Sequence, residues 1–228
     1  MKFKWQTELP QLLLLAGMFL LAALTWSTAP DKIPMHWNFS GEVDSYGGRF
    51  EGLLALPLLT LGIYVLLWVV PLIDPGRANY KRFTGAYTTI RMALVVLMAA
   101  TYGIVHLWIR GHQISVGTIM PLMVGGLFLI IGNLFGKIRP NWFVGIRTPW
   151  TLSSKVSWMK THRLGGWLFV VLGLLFIGVG ILHSRWTMGV LLVGGGISIV
   201  YLFAYSWWVW KNDPDKVPPT GTIPADET

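Results

Sequence analysis

The sequence predicts an all-α integral membrane protein with six transmembrane helices, and two observations carry that prediction. Of its 228 residues, 54% are hydrophobic and only 12% are charged, whereas roughly 25% of the residues in an average soluble domain are charged. In addition, six apolar runs come close to the ~20 residues that cross a bilayer. They lie at residues 9–26, 52–73, 86–109, 115–135, 164–183 and 187–210.

The first run has an alternative interpretation as a cleaved signal peptide, because Lys2 and Lys4 precede a leucine-rich stretch that ends in small residues. Pro30 would then follow the cleavage site, and the acidic Glu8 stands just ahead of the apolar stretch. Both features are unusual for a signal peptide, so we interpret this run as the first transmembrane helix.

The third run is the weakest candidate for a span, because it contains Arg91 and His106. Each stands near an end of the run, where a long basic side chain can extend to the headgroups. None of the six runs contains Asp or Glu. The paired carboxylates of a membrane enzyme are therefore not predicted within the spans, and His106 comes nearest to an ionisable group of a proton-coupled transporter.

The distribution of Lys and Arg predicts the orientation of the chain. The N-terminus, loop 74–85, loop 136–163 and the tail after residue 210 together hold 13 basic residues, whereas the connections on the other side hold 4. Both termini are therefore predicted to be cytoplasmic in a multi-pass plasma-membrane protein. The net charge of +8 reflects the basic residues of the cytoplasmic side. We interpret it as affinity for an anionic inner leaflet, ahead of nucleic-acid binding.

This topology divides the chain into three predicted parts. Residues 1–85 hold two spans joined by an extracytoplasmic loop, residues 27–51. Residues 86–210 form a four-helix membrane domain that contains the cytoplasmic loop 136–163. Residues 211–228, rich in Pro, Asp and Thr, are predicted to be a disordered tail.

The outer loop contains the sequence PMHWNFSGEVDSYGG, with four polar side chains between turn-forming residues. These candidate recognition residues are His36, Asn38, Glu42 and Asp44. A compact interfacial cap would need only the aromatic residues and the turns, and buried polar groups cost free energy unless they find partners. The loop therefore predicts a recognition surface for a peptide. His36 and Asp44 are weaker candidates for a metal site, because a single imidazole is a poor metal signal.

The inner loop is the most basic segment of the chain, and it has no acidic residue between Gly136 and Gly166. Ser153 or Ser154 is a good N-cap for a short interfacial helix leading into the fifth span. Membrane anchoring by charge and aromatic residues explains much of this composition. Arg147, flanked by turn formers, could also make a bidentate contact with a phosphate or carboxylate.

Two segments together resemble a known family. IPMHWNFSGEVDSYGG resembles an extracytoplasmic domain of unknown function found in many membrane proteins of Gram-positive bacteria, and GNLFGKIRPNWFVGIRTPWTLSSKVSWMKTHRLGG resembles the hallmark segment of the SdpI family. The matching outer positions are Pro34, His36, Asn38, Gly41 and Asp44. The matching inner positions are Gly132, Asn133, Lys137, Pro140, Asn141, Gly145, Arg147, Thr148, Pro149, Trp150, Thr151, Trp158, Thr161, His162 and Arg163.

The resemblance implies an immunity protein that gives resistance to a secreted toxic, antimicrobial peptide and takes part in signal transduction. It also implies a small cytoplasmic autorepressor as a further partner. For the chain itself we expect no enzymatic activity and no cofactor. Lys155 stands where acidic residues are common in the family. The alternatives from other classes are a transporter of a small or lipid-linked substrate, a membrane enzyme and a structural partner of another membrane complex.

Overall fold

A computed structural model describes residues 5–38, 41–183 and 185–216, without the side chains of residues 185–187. Within this part of the chain, six helices are long and apolar enough to cross a membrane. The helices are α1 (Trp5–Thr25), α2 (Arg49–Ile73), α3 (Thr84–Ile109), α4 (Val116–Phe135), α5 (Pro149–Ser153), α6 (Lys155–Leu182) and α7 (Arg185–Lys211). All but the short α5 are candidate spans, and a 3₁₀ helix, Arg77–Arg82, lies between α2 and α3.

The prediction of an all-α fold is wrong for the connection between α1 and α2. Two strands, β1 (Ile33–Trp37) and β2 (Val43–Gly47), pair there as an antiparallel hairpin. We call the end of the bundle that carries this hairpin the hairpin end, and the opposite end, which carries residues 74–83 and 136–154, the loop end. With six spans, the helix termini nearest the two ends of the chain, at Trp5 and Lys211, both lie at the loop end.

The most extensive helix pair is formed by the antiparallel helices α4 and α6. At three levels their backbones approach so closely that an added Cβ atom would lie within 3 Å of a carbonyl oxygen of the partner helix. Gly132 meets Gly166, Gly125 meets Gly173, and Gly180 meets Thr118. Successive contacts are seven residues apart on each helix, and we call this contact the glycine seam. Small residues at such spacing let two membrane helices pack with their backbones in close contact.

Glu8 and Arg91 form an ion pair within the bundle, and this corrects two expectations. Helix α1 begins before the apolar run and includes Glu8, so the spans do contain a carboxylate. Arg91 does not extend to the headgroups, because both side chains are only 1% exposed and their charged atoms are 2.8 Å apart. His106 is also buried in the bundle, beside the ring of Tyr102.

Two serine and threonine caps shape the segment before the fifth span. Thr148 and Thr151 form a capping box that begins α5. The side chain of Ser154 accepts a hydrogen bond from Ser157 N at 2.9 Å and begins α6, which confirms one of the two predicted N-caps. The helix that Ser154 begins is not a separate short one, because α6 continues without a break to Leu182. The inner loop therefore ends near residue 154, and its short helix is α5.

The prediction of a disordered tail from residue 211 is wrong for its first residues. Asp213 is buried and accepts a hydrogen bond of 2.5 Å from the hydroxyl of Ser154, so the chain just beyond α7 packs against the start of α6. Residues 217–228 of the predicted tail, and Lys2 and Lys4 of the basic N-terminus, lie outside the described residues.

Candidate functional site

The hairpin is held on the bundle by one buried end of its first strand and by its turn. Ile33 is fully buried against α2, where Gly52 leaves the space that its side chain fills. Gly41 closes the turn with φ of 81°, a conformation that favours glycine. A Cβ atom at Gly41 would lie 2.9 Å from the backbone nitrogen of Gly117 in α4. The hairpin is thus held on α2 at its base and on α4 at its turn.

The four predicted outer residues lie together on this hairpin and bond to one another. His36 Nδ1 is 2.6 Å from Asp44 Oδ1. Asn38 Nδ2 donates to Glu42 Oε2 at 3.2 Å, and Glu42 N donates to Asn38 Oδ1 at 3.0 Å. His36 is 68% exposed. The argument from unpaired buried polar groups therefore does not apply, since none of these side chains is buried and they supply one another's hydrogen bonds. They present a hydrogen-bonded polar edge to solvent.

An apolar recess of about 330 Å³ lies between this edge and the helices. His36 and Asn38 stand at its rim, and residues of α3, α4, α6 and α7 form the rest of its lining. Three methionines, Met35, Met120 and Met188, line it. Methionine side chains are flexible and polarisable, and they are common on surfaces that bind varied apolar partners. The recess gives the hairpin end a site with polar atoms on one side and an adaptable apolar wall on the other.

For the metal hypothesis, the described ranges contain no group of three or more His, Asp or Glu side chains that could hold an ion. His36 and Asp44 come together as a pair without a third ligand of this kind.

At the loop end, Asp74 joins the two inner connections, and sequence reasoning missed it. Its carboxylate accepts hydrogen bonds from Gly76 N at 2.6 Å, from the Tyr80 hydroxyl at 2.9 Å and from Trp142 N at 3.1 Å. Burial, followed by the hydrogen bond to Asp74, raises the pKa of Tyr80, so its hydroxyl remains a donor. The only sequence signal was the turn-forming Asp-Pro-Gly after the second apolar run.

Asn141 shapes the turn that follows Pro140. Its side-chain oxygen accepts from Val144 N at 2.6 Å and Phe143 N at 3.0 Å, and its nitrogen donates to the carbonyl oxygens of Arg139 and Val144. All its polar atoms are therefore used within the loop, and its role in this structure is to fold the turn.

His162 is a second structural residue of the predicted set. It is fully buried, stacks on Trp158 at a ring distance of 4.1 Å, and lies within 2.8 Å of the Trp158 carbonyl through Nδ1. Its Nε2 accepts from Ile146 N at 3.0 Å. These two contacts fit a neutral imidazole with its proton on Nδ1. Gly145, with φ of 115°, leaves the space for the ring.

Trp158 and Thr161 are buried beside His162, and Trp158 Nε1 donates to the Ile138 carbonyl at 2.9 Å. Thr148 and Trp150 tie the loop to α7, through a 3.0 Å hydroxyl contact with Ser206 and a T-shaped ring contact with Phe203. Most of the predicted inner residues therefore build the loop and do not face solvent.

Five predicted inner residues are exposed: Asn133, Lys137, Arg147, Pro149 and Arg163. Arg147 donates from Nη1 to the Trp142 carbonyl at 2.9 Å, so one of its five donors orients it on the loop and the others remain for a further contact. Asn133 donates to the Leu129 carbonyl of its own helix. Arg163 lies with Asn133 in a groove between α4 and α6.

Comparison with known families matches two parts of the chain. The model of the SdpI/YfhL protein family matches residues 137–206, and that of a domain of unknown function, DUF1648, matches residues 13–61. Residues 137–206 are therefore similar to the SdpI/YfhL protein family. The SdpI match spans the inner loop with α5, α6 and most of α7. The DUF1648 match spans the second half of α1, the hairpin and the first half of α2. The sequence resemblance to the SdpI family is confirmed.

One curated relative of the chain is the immunity protein SdpI of Bacillus subtilis (strain 168). It is 22% identical over 200 residues, which are 85% of this chain and 91% of the relative. No solved structure matches the chain. The six apolar helices and this relative together establish a multi-pass membrane protein with homology to an immunity protein.

Proposed function

We propose that this protein is a plasma-membrane immunity protein that protects its cell from a secreted toxic peptide, with the hairpin as the extracytoplasmic recognition element. The observation that carries the proposal is the hydrogen-bonded polar edge of the hairpin beside the methionine-lined recess. A recognition site needs polar atoms that fix orientation and an apolar wall that supplies affinity. The similarity to a protein named for immunity supports this use of the site.

In this proposal the protein is also a receptor, and the inner loop relays recognition or binds a cytoplasmic partner such as an autorepressor. Arg147 is the inner contact we propose, because its side chain is exposed and its guanidinium group is oriented by the carbonyl oxygen of Trp142. Such a guanidinium can hold a carboxylate or phosphate through two parallel hydrogen bonds, which an ammonium cannot do.

The experiment is expression in a sensitive Gram-positive strain that lacks its own immunity protein, followed by killing assays with a panel of secreted peptides. We expect the wild-type chain to protect against at least one peptide. His36→Ala and Asp44→Asn should each abolish protection at unchanged membrane abundance. Ser45→Ala is the matched control, because Ser45 is an exposed residue of the same hairpin.

Because His36 and Asp44 bond to each other, a loss of protection could also come from a weakened hairpin. The exchanged variant His36→Asp/Asp44→His separates the two effects, because it keeps the cross-strand pair and moves each group to the other strand. Recognition predicts that the exchanged variant fails to protect. Full protection by the exchanged variant, or by His36→Ala, would refute the role of these side chains in recognition.

The inner arm of the experiment compares Arg147→Lys with the wild-type chain. We expect Arg147→Lys to lose protection or signalling while insertion and abundance stay normal. Full activity of this variant would show that the loop needs only positive charge, as membrane anchoring does.

A further inference from the structure

A groove crosses the glycine seam at the loop end, on the surface of the α4–α6 pair. Its volume is about 210 Å³, and its lining includes Gly132, Gly136 and Gly166 together with Asn133, Arg163 and Trp167. The absence of side chains at the three glycines makes the depression. Arg163 and Trp167 stand one turn apart on α6 at its edge.

Arg163 is the charged group of this groove, and no carboxylate among the described residues forms an ion pair with it. Among the described residues, the ion pairs are those of His36 with Asp44, Arg49 with Asp31, and Arg91 with Glu8. The two loop-end carboxylates described above have other partners, since Asp74 binds the inner loop and Asp213 binds Ser154. The guanidinium of Arg163 is exposed and can take an anion from outside the protein.

Along α6, the side chains beyond Arg163 match the layers of a lipid monolayer, from the headgroups to the acyl chains. Trp167 is 66% exposed, and Leu174, two turns further, is 57% exposed. With a rise of ~1.5 Å per residue, Trp167 lies about 6 Å and Leu174 about 16 Å from Arg163 along the helix. Cationic and aromatic side chains mark the headgroup level of membrane helices, and aliphatic side chains face the acyl chains.

From the open groove, the exposed Arg163 and this polarity sequence, we infer that the groove binds one anionic phospholipid, with the phosphodiester on Arg163 and an acyl chain along the outer face of α6. General attraction of basic residues to an anionic surface needs no groove. The shape of the groove therefore distinguishes a specific lipid site from such attraction. Separate variants can change the shape of the groove and its charge.

Gly136→Leu changes the shape of the groove and leaves its charge unaltered. Gly136 is exposed and has right-handed helical backbone angles, and a Cβ atom there would meet only the Cα atom of Arg163, at 3.9 Å. A larger side chain is therefore compatible with the backbone but occupies the groove. Arg163→Gln removes the charge, and Lys160→Gln is its matched control, because Lys160 is exposed one turn earlier on α6 and does not line the groove.

The test is native mass spectrometry of the full chain in a neutral detergent, titrated with phosphatidylglycerol and separately with phosphatidylcholine. We expect the wild-type chain and Lys160→Gln to take up one phosphatidylglycerol in preference to phosphatidylcholine. Arg163→Gln and Gly136→Leu should each bind it about tenfold more weakly or worse, the loss expected for one bidentate guanidinium–phosphate contact. Thermal unfolding checks that each variant is folded, and Gly136→Val replaces Gly136→Leu if the latter is not.

Three results would overturn the inference. Wild-type affinity in the groove-filling variant would place the lipid elsewhere. Equal losses in Lys160→Gln and Arg163→Gln would show diffuse attraction to positive charge. Displacement of the lipid by inorganic phosphate would identify the ligand as a soluble phosphate.

Discussion

Breaking the buried Glu8–Arg91 pair should destabilise the protein far more than removing the pair altogether. Arg91 Nη1 donates to Glu8 Oε1 at 3.0 Å and Nη2 to Glu8 Oε2 at 2.8 Å, and the Tyr64 hydroxyl donates to the same carboxylate at 2.9 Å. Arg91→Met leaves Glu8 buried with a single neutral donor. Removal of one partner from such a pair costs about 3–5 kcal/mol, whereas replacement of both by apolar residues is often neutral.

These energies translate into a measurable change in melting temperature. For a chain of this size, about 1 kcal/mol corresponds to ~2–4 °C in Tm, so Arg91→Met should lower the Tm by about 6–20 °C. Glu8→Leu should do the same by leaving the cation unpaired. The double variant Glu8→Leu/Arg91→Met should recover most of the loss. Arg110→Met is the control, because Arg110 is exposed at the other end of α3.

Thermal unfolding of the detergent-solubilised chain, monitored by size-exclusion chromatography of a fluorescent fusion, measures all four variants. The decisive quantity is the coupling between the two sites, which is the loss in the double variant minus the sum of the single losses. Additive losses would show that the two side chains do not depend on each other. Losses below ~1 kcal/mol in both single variants would show that the charges are hydrated rather than buried, and would refute the reasoning.

Two further predictions concern topology and packing. Ser45→Cys in the hairpin should react with an impermeant thiol reagent in intact cells, while Lys155→Cys at the start of α6 should react only after permeabilisation. Both positions are exposed and the chain has no native cysteine, and the reverse pattern would invert the orientation. Gly173→Leu should lower the free energy of unfolding by about 1–3 kcal/mol or more, since its Cβ atom would lie 2.9 Å from the Gly125 carbonyl oxygen. Gly178→Leu, on the same helix with nothing within 4 Å of its Cβ atom, should change it by less than about 0.5 kcal/mol, and equal effects would disprove the seam.

The six spans were predictable because a bilayer demands long apolar runs, and composition alone reveals them. The ends of the helices were not, because polar residues such as Glu8 extend a helix beyond its apolar run when they find a buried partner. That partner, Arg91, is 83 residues away in the sequence. No local pattern encodes such a contact, so Arg91 was assigned to the headgroups and Glu8 was placed ahead of the first span.

The hairpin escaped prediction because its strands have five residues each and one contains Pro34, which gives a weak alternating pattern. The grouping of its polar residues was nevertheless correct, since a short loop keeps them close in any conformation. At the loop end the residues were found through the family resemblance, but their roles were not. His162 and Asn141 carry polar groups that looked available, and only the fold shows that the backbone uses them.

The glycine seam limits how a conformational change could be transmitted across the membrane. Its three contacts pair residues whose numbers run in opposite directions in steps of seven, so a slide of α6 past α4 by less than two turns would place larger side chains where only glycine fits. The two helices therefore behave as a single rod. One end of this rod touches the hairpin turn at Gly117, and the other carries Gly136 and the start of α6 at the inner loop. A displacement of the hairpin would therefore reach the inner loop as a tilt or rotation of both helices together, without sliding of one helix along the other.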